Sequence, residues 1–349
     1  MATRKDSALR WDEILLAVTR DVTEHPHDLS RLYCDRYGIS RVTATKYIQR
    51  LEEEGWIARS GPATHPVFSP GFNRKIGKGY KLAGLDEQQA WENDFSPFVE
   101  LKPNVKNILN IGFTEMLNNA IEHSAGTFVF CSVRVEQNLV FLTITDDGVG
   151  IFKKISVALD LPDQRLALLE LSKGKFTTDP KNHSGEGVFW TSRMFDNFEI
   201  LANGLEYRHD SSERHDWLEE DGRPEQSRGT VVFMNISPDS DRTARDVYDA
   251  YTGAPDDFAF SKTVVPLILA RLGDENLVSR SQAKRLTARF DQFLTVHLDF
   301  KGIEDVGQGF MDELFRVYAS DHPMTQLVPV NMTDAVERMY KRVSIRRGE

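Results

Sequence analysis

The chain has only two cysteines in 349 residues, Cys34 and Cys131. They stand far apart and neither has a C-x-x-C partner, which excludes a disulfide framework and a zinc site of that pattern. Both are expected to be buried thiols. No uninterrupted apolar run reaches the roughly 18 residues of a membrane helix. The first residues, MATRKDSALRWDE, are charged and lack the apolar centre and small-residue cleavage site of an export signal. A cytoplasmic protein with no membrane partner is therefore expected. An excess of positive charge is also missing: the formal net charge is -10. That excludes a surface coated for nucleic acid all over and leaves room for a local basic face. No internal repeat or low-complexity tract is visible.

What is present is 40% apolar and 28% charged residues over a length that suits two or three domains. Trp11, Ile14, Leu15, Val18 and Val22 recur at helical spacing, and DLSRLYCDRYGISRVTATKYIQRLEEEGWIARSG follows from Asp28. Gly38-Ile39-Ser40 supplies a tight turn and an N-cap, after which Ala44, Ile48 and Leu51 are expected in a core and Thr43, Lys46, Tyr47 and Arg50 outside it. Gly55 stops this helix. Trp56 to Arg59, then Ser60-Gly61-Pro62, then Val67-Phe68 read as two strands and the tip of a wing. Residues 1–70 thus resemble a winged helix-turn-helix. Between residues 36 and 51 lie Arg36, Arg41, Lys46 and Arg50 and no acid, which suits a helix entering the major groove. Arg41, Thr43, Lys46, Tyr47 and Arg50 are the expected DNA contacts. A protein-binding or dimerisation module is the alternative, because residues 1–60 balance ten basic against ten acidic side chains. Residues 71–100, with Arg74, Lys75, Lys78 and Lys81, read as a connector.

The segment FTEMLNNAIEHSAG lies in a helix whose apolar positions Ile108, Leu109, Met116, Leu117, Ala120 and Ile121 keep helical spacing. Glu115, Asn119 and Glu122 therefore share a face. An asparagine carbonyl is a neutral hard ligand for magnesium on phosphates, and a carboxylate one turn earlier can orient or deprotonate an attacking water or hydroxyl. Two strands, 127–135 and 138–145, lead into Asp146-Asp147-Gly148-Val149-Gly150. An acid there can accept from the exocyclic amine of adenine, and the glycines let backbone approach base and ribose. Later come Lys173-Gly174-Lys175-Phe176-Thr177 and Gly185-Glu186-Gly187 entering an apolar helix, a phosphate cradle in form. Gly229-Thr230 then opens a strand whose threonine hydroxyl can join Asp146. Each signal alone is a common accident; their order is not.

This order, E-x-x-x-N, D-x-G-x-G, a glycine pair and G-T, resembles the GHKL (Bergerat-fold) ATPase and kinase superfamily over residues 100–236. The resemblance implies ATP and magnesium as cofactors, Glu115 as catalytic base and Asn119 as magnesium ligand. It implies Asp146 as adenine reader with Thr230, Gly148, Gly150, Gly185 and Gly187 as backbone contacts, Lys175 and Thr177 near the phosphates, and residues 152–184 as a lid. His183 stands where many members carry a glycine. No phosphoacceptor helix with H-E/D-x-x-P/N/T precedes the motifs, which disfavours a sensor kinase. NAIEHS is similar to the anti-sigma-factor serine kinases.

Residues 279–343 alternate helix and strand, and the run through Asp299, Gly302, Ile303 and Asp305 resembles STAS-like domains related to anti-sigma-factor antagonists. Val306-Gly307-Gln308 lacks the hydroxyl that the antagonists phosphorylate; Ser279 and Ser281 are alternative acceptors. The whole is a multi-domain α+β chain: winged helix (1–70), connector (71–100), Bergerat α/β sandwich with a mixed sheet covered by helices (101–240) and small STAS-like α/β domain (255–349). The expected function is an ATP-switched regulator, homodimeric, meeting DNA through the winged helix and a protein through the tail. The alternatives are a serine/threonine kinase of the anti-sigma-factor type and a slow ATPase dimer clamp, the latter offering Lys173, Lys175 or Lys181 to the γ-phosphate.

Overall fold

The computed structural model describes the chain except for residues 1–3, 63, 137, 176–184, 213–214, 221, 223, 225–226, 253–259, 272–274 and 346–349. Helices and several sheets make it a mixed α and β protein. It divides into two compact units, Met1–Gly148 with Gly229–Asp241, and Val149–Arg228 with Arg242–Glu349. Among the described residues no helix is long and apolar enough to cross a membrane.

The first unit begins with helices Arg4–Glu24, Leu29–Tyr37 and Arg41–Glu53 and an antiparallel hairpin of Ile57–Ser60 with Val67–Pro70. Gly38 ends the second helix in the left-handed region (φ 61), where a side chain would be strained. Ser40 then caps the third helix by accepting from the Thr43 amide. Trp11, Ile14, Val18, Leu29, Tyr33, Ala44, Ile48, Leu51, Trp56 and Phe68 bury a common core. Beneath it the buried Asp21 accepts from Arg36 at 2.8 and 2.6 Å, which assigns that arginine to the fold.

Residues expected to be a connector are instead part of the sheet. Strand Arg74–Lys81 pairs along its whole length with Phe128–Glu136, from Arg74 opposite Val135 to Lys81 opposite Phe128. Glycine and lysine hid this strand, since neither favours β structure. In the fold the rings of Phe130 and Phe128 occupy the places that side chains at Gly77 and Gly79 would take. Leu139–Asp146 and Thr230–Ile236 continue the antiparallel order. One sheet face is apolar throughout, with Val129, Cys131, Val133, Val140, Leu142, Ile144, Val232, Met234 and Ile236 buried. Helix Pro103–His123 buries Ile108, Leu109, Phe113, Met116, Leu117 and Ala120. Burial pushes the Cys131 thiol up to about 12; Cys34 is half-buried.

Helix Arg4–Glu24 serves both parts of this unit. While Trp11, Ile14 and Val18 enter the N-terminal core, the Thr19 hydroxyl accepts from the Lys75 amide at 3.1 Å on the edge strand. Arg20 reaches Asp94, which also accepts from Lys78 at 2.6 Å and from the Tyr80 hydroxyl at 2.9 Å.

In the second unit, helices Ile151–Ala158, Leu166–Lys173 and Gly187–Met194 precede an antiparallel meander of Asn197–Ala202, Leu205–Asp210 and His215–Glu220. After helix Ala244–Tyr251, three parallel strands, Lys262–Pro266, Thr295–Asp299 and Gln326–Val330, carry helices Arg280–Thr287, Gln308–Asp312 and Asp334–Ile345. Helix Leu166–Lys173 is buried at every residue. Thr263 donates to the Lys173 carbonyl at 2.8 Å, so this helix packs with the tail's first strand. These residues of the expected lid (152–184) are thus core, as four leucines in eight positions require. Two charges enter with them. Glu170 accepts from Lys173 at 2.6 Å and from Arg289 at 2.7 Å, and the Lys173 side chain is 0% exposed.

Glu170→Ala leaves the buried Lys173 and the partly buried Arg289 without their shared anion. It should lower the free energy of urea unfolding by about 3–5 kcal/mol, whereas replacing Glu170, Lys173 and Arg289 together by apolar residues of similar volume should recover most of that loss. An unchanged unfolding midpoint for Glu170→Ala would show that the cluster contributes nothing.

Candidate functional site

Leu139–Asp146 alternates buried and half-buried residues, so the strand's last residue, Asp146, leaves the sheet with its carboxylate half sheltered. Its Oδ1 accepts from the Gly148 amide at 2.8 Å and from the Thr230 amide at 3.3 Å. The Thr230 hydroxyl adds another hydrogen bond to the same carboxylate. Gly229 donates to the Gly148 carbonyl at 2.7 Å. Two glycines make the corner possible. A Cβ on Gly148 would run into the Ser124 carbonyl, and one on Gly229, whose φ is 85°, into the Asp146 carbonyl. The end of helix Pro103–His123 and the ends of two strands therefore meet backbone against backbone.

The neighbouring Asp147 has the opposite situation. It is exposed and accepts from the Thr127 amide at 2.7 Å, the Thr127 hydroxyl at 2.8 Å and the Phe128 amide at 2.9 Å. These bonds hold its carboxyl below the usual carboxylate range. Burial pushes Asp146 upward, against the hydrogen bonds from Gly148 and Thr230 and with added repulsion from Asp147. Adjacent acids with opposite shifts have different roles: Asp147 pins the turn, and Asp146 is a held acceptor. Sequence reading missed Asp147, whose signal is only that the motif contains a second acid.

On helix Pro103–His123, Glu115 is exposed and Asn119, one turn later, is half-buried. The Asn119 amide lies 3.9 Å from the Met116 sulfur, a weak contact that leaves its carbonyl oxygen the better ligand. Among the described residues no group of three His, Cys, Asp or Glu could hold a metal ion. A magnesium ion would have to take most of its ligands from phosphates and water, as that ion commonly does.

Gly150, Lys175, Gly185 and Gly187 belong to the second unit. Gly150 has φ 87°, and the Asn203 amide fills the place of its missing side chain. Asn203 donates to the Val149 carbonyl at 3.0 Å and the Ser227 carbonyl at 3.3 Å and accepts from the Lys153 amide at 3.1 Å. It fixes the D-x-G-x-G turn, a role the sequence reading did not give it; its signal was the Asn203-Gly204 hairpin pair. Gly185 has φ 70°, and Gly187 opens helix Gly187–Met194. Lys175 departs from expectation. Its ammonium donates to the Gln292 carbonyl at 2.9 Å and lies 5.5 and 4.9 Å from the ring centroids of Phe260 and Phe293, so its contacts here are with the tail. Thr177, Lys181 and His183 lie outside the described residues.

In the N-terminal module Arg41 and Lys46 are exposed, and Thr43 is half-buried beside its cap Ser40. Tyr47 lies 5.9 Å from Trp11 between ring centroids. The Arg50 guanidinium is 3.9 Å from the Trp11 ring centroid and donates to Glu54 at 2.7 Å. The last two side chains therefore rest on Trp11 of the first helix, with Arg50 still half exposed.

Residues 282–337 match the family model of the STAS-like domain of unknown function (DUF4325). A stretch of 108 residues, 31% of the chain, is 30% identical to proteins named anti-sigma F factor from Bacillus cereus (strain G9842) and Bacillus thuringiensis (strain Al Hakam). The chain spans 64% of the length of these relatives.

Asp147→Ala should lower the melting temperature at pH 7. Because folding depresses this pKa, the stabilisation is complete above the unfolded value of about 3.9 and is lost as pH falls through the folded value. The deficit against the parent should therefore shrink in strong acid. A deficit independent of pH would remove the electrostatic explanation.

Proposed function

We propose that the chain is an ATP–magnesium-binding regulatory protein of the GHKL type, whose nucleotide state alters how its N-terminal module meets DNA and how its tail meets a protein partner. The observation that carries this reading is the Asp146 corner. A half-buried carboxylate oriented by two backbone amides and a threonine hydroxyl suits an exocyclic amine of adenine, and Gly148 and Gly229 keep side chains out of the turn. Asn119 would hold the magnesium ion, which neutralises phosphate charge when bound. Glu115 stands one turn away to orient a water or hydroxyl. The glycines at 185 and 187 precede a helix whose first amides suit phosphate.

Coupling to DNA is supported by helix Arg4–Glu24. The same helix supplies the core under the recognition helix and clasps the edge strand through Thr19 and Arg20. Nucleotide binding that shifts the sheet therefore shifts the module with it. The match of residues 282–337 to a STAS-like family supports a protein-binding tail.

A second reading, a serine/threonine protein kinase acting on a protein partner, is favoured by the 30% identity to proteins named anti-sigma F factor. Glu115 would then act on a hydroxyl instead of water.

Linkage makes the switch reciprocal: ATP–magnesium should change affinity for duplex DNA by the factor by which DNA changes affinity for ATP, about 5- to 150-fold for typical coupling. Fluorescence anisotropy with and without ATP–magnesium measures it, and superimposable curves would reject the switch. Incubation with γ-labelled ATP and a cell extract separates the readings. Label on protein that vanishes in Glu115→Ala supports the kinase.

A further inference from the structure

The helix Arg41–Glu53 presents a face that differs from the one its basic residues suggest. Arg36 is spent on the buried Asp21, Arg50 lies over Trp11 with its Nε on Glu54, and Tyr47 packs on the same ring. Val42, by contrast, is 68% exposed. Thr45, Lys46 and Gln49 are exposed beside it, at helical spacing of three, four and seven from Val42. Gln49's amide has no hydrogen-bond partner among the described residues. Thr45 turns its hydroxyl back to the Arg41 carbonyl at 2.9 Å, leaving its methyl group outward. The exposed stripe is thus apolar and amide-bearing, flanked by Arg41 and Lys46, and acids appear only at its exit, from Glu52 to Glu54.

We infer that this stripe reads A·T base pairs in the DNA major groove. The inference rests on the DNA-binding reading above and adds the base type and the residues that select it. Thymine alone offers a methyl group in the major groove, which suits Val42 and the Thr45 methyl. Adenine offers an N7 acceptor beside an N6 donor, which the glutamine amide of Gln49 matches with two hydrogen bonds; guanine, with two acceptors, calls for an arginine fork, whereas Arg50 is engaged by Trp11 and Glu54 and Arg41 stands at the edge of the stripe. Arg41 and Lys46 meet phosphates on either side and fix register. The charge order sets the direction, with the helix N-terminus entering the groove and Glu52 and Glu53 kept away from the backbone. Val42 and Gln49 are seven residues apart, about 10 Å along the axis, or about three base-pair steps of 3.4 Å. Two preferred A·T positions at about that spacing are the signature.

Selection from random duplexes by the full chain, with and without ATP–magnesium, tests this. The parent should enrich two A·T positions about three pairs apart. Gln49→Ala and Val42→Ala should each relax preference roughly tenfold at one position, with binding to unselected DNA unchanged. Lys46→Ala should weaken every sequence alike and reduce the salt slope by about one. Both reader residues are exposed, and circular dichroism verifies that the variants fold as the parent does. Binding without base preference, enrichment of G·C, or uniform weakening by Val42→Ala and Gln49→Ala would overturn the inference and leave the DNA reading standing. Absence of any DNA binding, or binding of a protein through this stripe instead, would overturn both and leave nucleotide binding untouched.

Discussion

Asp146 ends an apolar strand with its carboxylate drawn partly out of water, and it remains there because two backbone amides and a hydroxyl are aimed at it. A half-buried acid without such donors would be costly and would turn outward. Those donors come from Gly148, two residues on, and from Thr230, 84 positions away. The corner therefore exists only when strand Thr230–Ile236 lies beside Leu139–Asp146 in the observed register, with Thr145 opposite Val231. Sheet register, the two glycines and the acceptor are one constraint seen from three sides.

The N-terminal module is fastened to that sheet more firmly than a domain on a linker. Asp94 gathers Arg20, Lys78 and the Tyr80 hydroxyl, and Thr19 completes an edge-strand amide that would otherwise face solvent. The edge is also guarded by lysines, which discourage pairing with another chain. In the second unit the same economy appears in the Glu170–Lys173–Arg289 cluster and in the aromatic packing of Phe189, Trp190, Phe260 and Phe293. The helix Gly187–Met194 that follows the glycine pair shares its packing with the tail through these rings.

Local chemistry was legible in the sequence, and long-range packing was not. The turn at Gly38, the cap at Ser40, the helix carrying Glu115 and Asn119 and the acid–glycine corner all follow from residues within a few positions of each other. Strand Arg74–Lys81 was hidden because its glycines gain their side-chain volume from Phe128 and Phe130, some fifty residues on. Lys175, set beside Gly174, has the local look of a phosphate ligand, and nothing near it in the sequence announces its contacts with Phe260, Phe293 and the Gln292 carbonyl. Trp11 has the same effect on helix Arg41–Glu53, holding Tyr47 and Arg50 against its ring and leaving Val42 and Gln49 exposed. Strand Lys262–Pro266 escaped because five residues running into the apolar Leu267–Ala270 show no period-two alternation.

The most direct measurement is titration calorimetry of the full chain with ATP, ADP and GTP in the presence of magnesium, for the parent and for Asp146→Asn. The parent should release or absorb heat with both adenine nucleotides and bind GTP more weakly. Asp146→Asn should bind ATP at least about tenfold more weakly, the usual cost of losing a charged hydrogen-bond acceptor. No heat with ATP or ADP on folded protein, or equal affinity for the variant, would contradict adenine recognition at Asp146.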